Sequence, residues 1–156
     1  MHELLYLKDE QIKAFIEKIF IAYRESFLDT KATLNKHSLG LAHHKVIHLL
    51  SIYDGITISN LLKKLRITKQ SLNRVLNDLI KNEYIFFKKG EIDSRRKHIY
   101  LSDTGKKVFD EIFSIQKKRI YKALLNSSSK EVLYFDNVIK KLLMKKFKAH
   151  ILIVDD

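Results

Sequence analysis

Residues 59–105 carry two short helical patterns, a hairpin and the start of a further helix, in that order. Ile58, Leu61, Leu62 and Leu65 recur at steps of one, three and four, giving the first helix one buried face. Arg66-Ile67 forms a short turn. The pattern then resumes with Leu72, Val75, Leu76 and Leu79. Thr57 or Ser59 can cap the first helix and Thr68 the second. Residues 84–87 and 97–101 are rich in β-branched and aromatic side chains, with a turn around Gly90 between them. The hairpin tip reads Lys88-Lys89-Gly90-Glu91-Ile92-Asp93-Ser94-Arg95-Arg96-Lys97. The order is helix-turn-helix followed by a basic wing. Such a helix can enter a DNA major groove while the wing reaches the adjoining backbone or minor groove.

The remaining segments read as helices. From residue 9 to about 29, Ile12, Phe15, Ile16, Ile19, Tyr23 and Phe27 form one broad apolar stripe. Residues 30–40 are polar, contain Gly40 and are expected to form a loop. A second helix fits 41–53, with Leu41, Val46, Ile47, Leu49 and Leu50 inward and Asp54-Gly55 ending it. Ser102 caps a long helix to about 125, three serines at 127–129 break the pattern, and a last helix buries Val132, Phe135, Ile139, Leu142 and Leu143. The expected fold is mainly α with a small β-wing, one domain over 1–150 followed by a tail at 151–156. The winged helix-turn-helix spans about 41–101, and the flanking helices lie at about 9–30 and 103–147.

Charge points in the same direction. The net charge is +12, yet residues 1–60 hold seven basic and seven acidic side chains. All the excess lies in residues 61–156, with 23 basic and 11 acidic. A basic half attracts a polyanion, most often nucleic acid. Cys is absent, which excludes disulfides, thiolate metal sites and thiol redox sensing. With no apolar run long enough to span a bilayer and no basic segment before Glu3, Asp9 and Glu10, a cytoplasmic protein without a membrane partner is expected.

The exposed face of the 68–82 helix holds residue types that read base edges. Asn and Gln pair with adenine, and Arg holds guanine at two points. Thr68, Lys69, Gln70, Ser71, Asn73, Arg74 and Asn77 are the candidates there. On the wing, Arg95 follows Asp93 by two positions, so both side chains can share one strand face. The carboxylate can then orient the guanidinium toward a narrow minor groove. Lys88, Lys89, Arg96 and Lys97 can neutralise phosphates.

With Asp93-Ser94-Arg95-Arg96-Lys97 at the wing and Leu101-Ser102-Asp103-Thr104-Gly105 after it, the chain resembles the MarR family of bacterial winged-helix transcriptional regulators. The family pattern there is Asp-x-Arg, then Leu-Thr-x-x-Gly. The resemblance implies a homodimer built from the first and last two helices, reading a two-fold symmetric operator. It also implies a small-molecule pocket between the dimer helices and the DNA-binding lobe, for which Phe20, Tyr23, Phe27, His44 and Phe109 are the candidate walls. Four positions depart from the pattern. Ser102 replaces the usual Thr, Leu62 an Ala, Arg66 a turn Gly or polar residue, and Glu83 the Gly that ends the recognition helix.

His44 and His48 are four apart on one helix, beside His43 and after His37, which is metal-ligand spacing. Zinc-sensing members draw further ligands from the long helix, which here offers Asp110 and Glu111 but no His. Exposed or hydrogen-bonded histidines are therefore expected, with no metal and no cofactor. The ending Ile151-Leu152-Ile153-Val154-Asp155-Asp156 resembles the first strand of a receiver domain, too short for receiver chemistry. No Gly-rich phosphate loop, Cys nucleophile or Ser-His-Asp arrangement supports catalysis. A sequence-specific DNA-binding regulator is the leading expectation. The alternative is a winged-helix interaction module that docks to another regulator, such as a response regulator.

Overall fold

The computed structural model describes residues 4–91 and 95–144. After one 3-10 turn at Leu5–Leu7 come α1 (Asp9–Leu28), α2 (Lys31–Lys36), α3 (Leu41–Ile52), β1 (Ile56–Thr57), α4 (Ile58–Leu65) and α5 (Lys69–Lys81). Strands β2 (Ile85–Lys89) and β3 (Lys97–Leu101), then α6 (Asp103–Leu125) and α7 (Ser129–Leu143), complete the order. The mainly helical fold with a small sheet is the expected class. No described helix is long and apolar enough to cross a membrane. The chain divides after Lys117 into two compact units, described separately below.

In the first unit the helix starts follow from hydroxyl caps. Thr57 Oγ1 accepts the Asn60 N–H at 3.3 Å, and Thr68 Oγ1 accepts the Ser71 N–H at 3.1 Å. Each bond satisfies a donor that the first helical turn leaves open. Between the two helices Arg66 takes a left-handed conformation, φ 53° and ψ 43°. Both apolar faces then meet one core, where Leu61, Leu72, Leu76 and Leu79 pack with Val46, Ile47 and Leu50 of α3. The sheet closes that core with strand order β1-β3-β2, all antiparallel. Ile99 pairs with Ile56 on one side and with Phe87 on the other, and its side chain is fully buried. Val108 and Ile112 of α6 complete the packing.

Two local expectations are corrected. Residues 30–40 are not simply a loop, because α2 occupies Lys31–Lys36. Thr30, Thr33, Leu34 and Leu39 are buried, and Thr30 Oγ1 donates to the Phe27 carbonyl at 2.9 Å. A polar segment can thus pack inward when its hydroxyls bond the backbone. Leu41, expected inward, is 40% exposed at the first position of α3.

The long N-terminal helix α1 has no fully buried residue, and Phe20 is 69% exposed. In the second unit, Ser128 starts α7 with a reciprocal cap. Its Oγ accepts the Glu131 N–H, and the Glu131 carboxylate accepts the Ser128 N–H at 2.7 Å. The Ser128 N–H and the Ser128 hydroxyl, which donates to the same carboxylate at 2.8 Å, hold the Glu131 carboxyl below its ordinary range. Expected burial along α7 is not met within one copy of the chain. Val132 and Ile139 are half-buried, but Phe135, Leu142 and Leu143 are 61, 53 and 72% exposed.

Candidate nucleic-acid interface and effector cavity

Helix α5 turns Leu72, Val75, Leu76 and Leu79 inward, so Lys69, Gln70, Ser71, Asn73, Arg74 and Asn77 are left on its exposed surface. The Thr68 hydroxyl also donates to Ser71 Oγ at 2.9 Å, tying the first turn together. At the other end, Glu83 has φ 57°. The Tyr84 N–H returns to the Leu79 carbonyl and the Glu83 N–H to the Ile80 carbonyl, both at 2.9 Å. This is a left-handed helix stop in which Glu occupies the glycine position.

The hairpin is closed by the Gly90 N–H donating to the Arg96 carbonyl at 2.9 Å. Lys88, Lys89, Arg95, Arg96 and Lys97 are all exposed. Lys88 is steadied by aromatic faces, its Nζ lying 5.1 Å from the Tyr100 ring centre and 5.5 Å from that of Phe86. Asp93 lies outside the described residues, as does the 151–156 tail.

The wing and α4 enclose a cleft of about 530 Å³ that the sequence reading did not foresee. Thr57, Ser59, Asn60 and Lys63 line it from α4 and its cap, and Arg95, Arg96 and Lys97 from the wing. Among the described residues, four cations and no acid line this space, a setting for a phosphodiester and not for an apolar ligand. The available signal was the three- to four-residue spacing of Ser59, Asn60 and Lys63 on one face of α4.

A second cavity, of about 280 Å³, is lined by Phe27, His44, Lys45, His48, Leu49, Leu65 and Gln116. Among the proposed pocket walls, Phe27 and His44 meet here, with ring centres 5.5 Å apart and edge to face. Tyr23 packs on Phe27 at 4.5 Å but lines a different cavity, between α1, α2 and the start of α3. Phe109 lies 6.2 Å from the His48 ring without lining the His44 cavity, and Phe20 lines neither space.

The histidines divide by environment. His37 Nε2 meets Glu111 Oε2 at 2.7 Å, and His98 Nδ1 meets the Gly55 carbonyl at 2.7 Å. Glu111 also accepts from Lys36 Nζ at 2.7 Å, and the two partners hold its carboxyl below the ordinary range. His44 is 3% exposed, and its Nδ1 has no hydrogen-bond partner among the described residues. Burial pushes its pKa down and the nearby His48 adds to this, while a hydrogen bond to Gln116 opposes both. A neutral ring bonded on one nitrogen offers the other as an acceptor. Among the described residues no cluster of three metal-ligating side chains occurs.

Two capped helices joined by a left-handed turn, with a basic antiparallel hairpin beside them, define a winged helix-turn-helix protein. A sequence profile of the MarR family matches residues 37–96. The chain is 33% identical over 153 residues to the HTH-type transcriptional regulator PetP of Rhodobacter capsulatus, covering 98% of this chain and 92% of PetP. The chain therefore belongs to the MarR family of transcriptional regulators, which are not enzymes. Its fold is similar to that of NadR solved with 4-hydroxyphenylacetate, with a TM-score of 0.72 and 19% identity over 83% of this chain and 92% of that one. The S. aureus MepR–DNA complex superposes with a TM-score of 0.59 and 21% identity, over 79% of this chain and 93% of MepR.

Proposed function

We propose that the chain acts as a homodimer that reads a two-fold symmetric operator in double-stranded DNA and responds to a small-molecule effector, with residues 1–150 as one working domain. The observation that carries this reading is the exposed Gln70-Asn73-Arg74-Asn77 face of α5 beside a basic wing and a cleft whose charged lining, among the described residues, is Lys63, Arg95, Arg96 and Lys97. Gln70, Asn73, Arg74 and Asn77 address base edges in the major groove. Arg95 enters the minor groove, and Lys88, Lys89, Arg96 and Lys97 hold phosphates. Thr68, Lys69 and Ser71 meet the backbone at the start of α5, where the first N–H groups also attract phosphate.

The effector site is the His44 cavity. Its size fits one small aromatic molecule, its walls are rings and aliphatic side chains, and the His44 acceptor favours a ligand that brings an O–H or N–H. The test is footprinting on the DNA upstream of the protein's own gene. Two protected half-sites about one helical turn apart are expected. Equal binding to every duplex, with no protected region at low salt, would replace this reading with that of an interaction module.

A further inference from the structure

Helix α3 points neighbouring histidines in different directions. His44 and His48 line the cavity, while His43 turns toward the start of its own helix and toward α5. His43 Nδ1 accepts the Gly40 backbone N–H at 3.1 Å. In a neutral ring this leaves the proton on Nε2. Nε2 lies 3.1 Å from Asp78 Oδ2 and donates to it. One ring thus joins the N-terminal cap of α3 to the third turn of α5.

Two features set this pair apart. Leu72, Val75, Leu76 and Leu79 hold α5 to the core by apolar contact, which resists separation but has no direction. A hydrogen bond to a carboxylate has both distance and angle, so it opposes rolling of the helix about its axis. Asp78 is also an acid on a helix whose exposed residues include Lys69, Arg74 and Lys81. A carboxylate so placed repels phosphate and lowers DNA affinity, so its presence calls for a compensating role.

We infer that His43 and Asp78 are positioning residues that set the roll of α5, so that its amide and guanidinium side chains meet base edges in register. This rests on the proposed base-reading role of α5. The pair touches no base. Its contribution is discrimination between sequences, and not affinity for DNA as such.

The experiment compares affinity for the footprinted operator and for a random duplex of equal length, by fluorescence anisotropy. His43→Asn is the informative variant. Its side-chain oxygen can still accept the Gly40 N–H, preserving the cap and the fold, but it is too short to reach Asp78. His43→Asn and Asp78→Ala should each lower the operator-to-random ratio by roughly three- to tenfold, the net scale of one typical hydrogen bond, because Asp78 is largely exposed to water. The double variant should lose no more than either single variant, because both remove the same bond. Asp78→Asn keeps an oxygen that accepts from Nε2, so it should restore most of the ratio while tightening binding to both duplexes. A wild-type protein that binds both duplexes alike would overturn base reading by α5, and this inference with it. A wild-type protein that discriminates while His43→Asn leaves the ratio unchanged would overturn the inference alone. So would an Asp78→Ala variant that only tightens both duplexes by one factor.

Discussion

Gly105 in the first turn of α6 lies directly against the backbone of Tyr84, at the entrance to β2. A Cβ at this position would overlap the Tyr84 carbonyl oxygen and stand 2.9 Å from its carbonyl carbon. The same carbonyl accepts the Ser102 N–H at 3.0 Å. Ser102 Oγ donates to the Glu83 carbonyl at 2.6 Å and accepts the Gly105 N–H at 2.9 Å. One serine and one glycine therefore fasten the start of α6 to the end of α5. Backbone cannot give way as a flexible side chain can, so Gly105→Ala should destabilise the fold by about 1–3 kcal/mol. Chemical denaturation would measure this, and an unchanged midpoint would contradict it.

This contact explains why the wing and its exit were legible in the sequence. Leu101-Ser102-Asp103-Thr104-Gly105 is a local device whose cap and close approach involve residues near one another in the chain or just across the hairpin. The two helices of the helix-turn-helix were legible for a similar reason, since Thr57 and Thr68 cap them and their leucines repeat at helical spacing. Helix α2 was not legible because Thr30 and Thr33 are buried despite being polar, and hydropathy cannot register a hydroxyl bonded to backbone. The His44 cavity was only half legible. Phe27 and His44 were named, but His48, Leu65 and Gln116 come from three helices brought together by tertiary packing alone. Along α7 the periodic apolar residues were visible, yet periodicity does not say whether their cover lies in the same chain.

Glu83 carries a left-handed conformation that costs an L-residue energy a glycine does not lose. Its N–H and that of Tyr84 already satisfy the last carbonyls of α5, so the backbone need not change on substitution. Glu83→Gly should raise stability by up to about 1 kcal/mol, the relief of strain being partly offset by glycine's greater freedom when unfolded. Glu83→Val should lower it, because a β-branched side chain tolerates positive φ poorly. Thermal unfolding of the two variants should therefore move in opposite directions.

The protein should be a dimer at micromolar concentration. Leu5, Phe20, Leu133, Tyr134 and Phe135 are 57–71% exposed in one copy of the chain, more apolar surface than a soluble monomer usually leaves in water. Phe135→Lys should cost a lone chain little, since that ring is already exposed, but should weaken a dimer that covers it. Light scattering should find the wild type at twice the chain mass and the variant shifted toward a single chain. A wild-type monomer across the micromolar range would contradict dimerisation.

Stability should depend on pH through His44. Burial and the neighbouring His48 lower its folded-state pKa from the ordinary 6.5. Between that lowered value and 6.5 the unfolded chain binds the proton more readily than the folded one. The His44 contribution is thus fully present above pH 6.5 and is lost as pH falls through 6.5 toward the folded value. His44→Gln, which does not titrate, should show a shallower fall in unfolding temperature between pH 7.5 and 5 than the wild type. Identical slopes would mean that another group dominates.

The DNA-facing residues should separate by what they read. Arg74 lies on the exposed face of α5 with Gln70, Asn73 and Asn77, so Arg74→Ala should cost about 1–3 kcal/mol per operator half-site and little on random DNA. Arg95 belongs to the wing, and Arg95→Ala should weaken binding most when A·T-rich flanks narrow the minor groove. Lys89 on β2 and Lys63 in the α4–wing cleft are expected to meet phosphate only. Loss of either should weaken all duplexes by one factor and lower the salt dependence by about one unit per contact. In a dimer every residue acts at two half-sites, so each effect appears twice over on the whole operator. The two groups differ because a guanidinium that holds two base acceptors is sensitive to base identity, whereas an ammonium beside a phosphate is not. Titrations of all four variants on operator and random duplexes at two salt concentrations would test the set. If Arg74→Ala and Lys63→Ala reduced affinity for both duplexes by the same factor, with the same change in salt slope, α5 would be holding the backbone and not reading sequence.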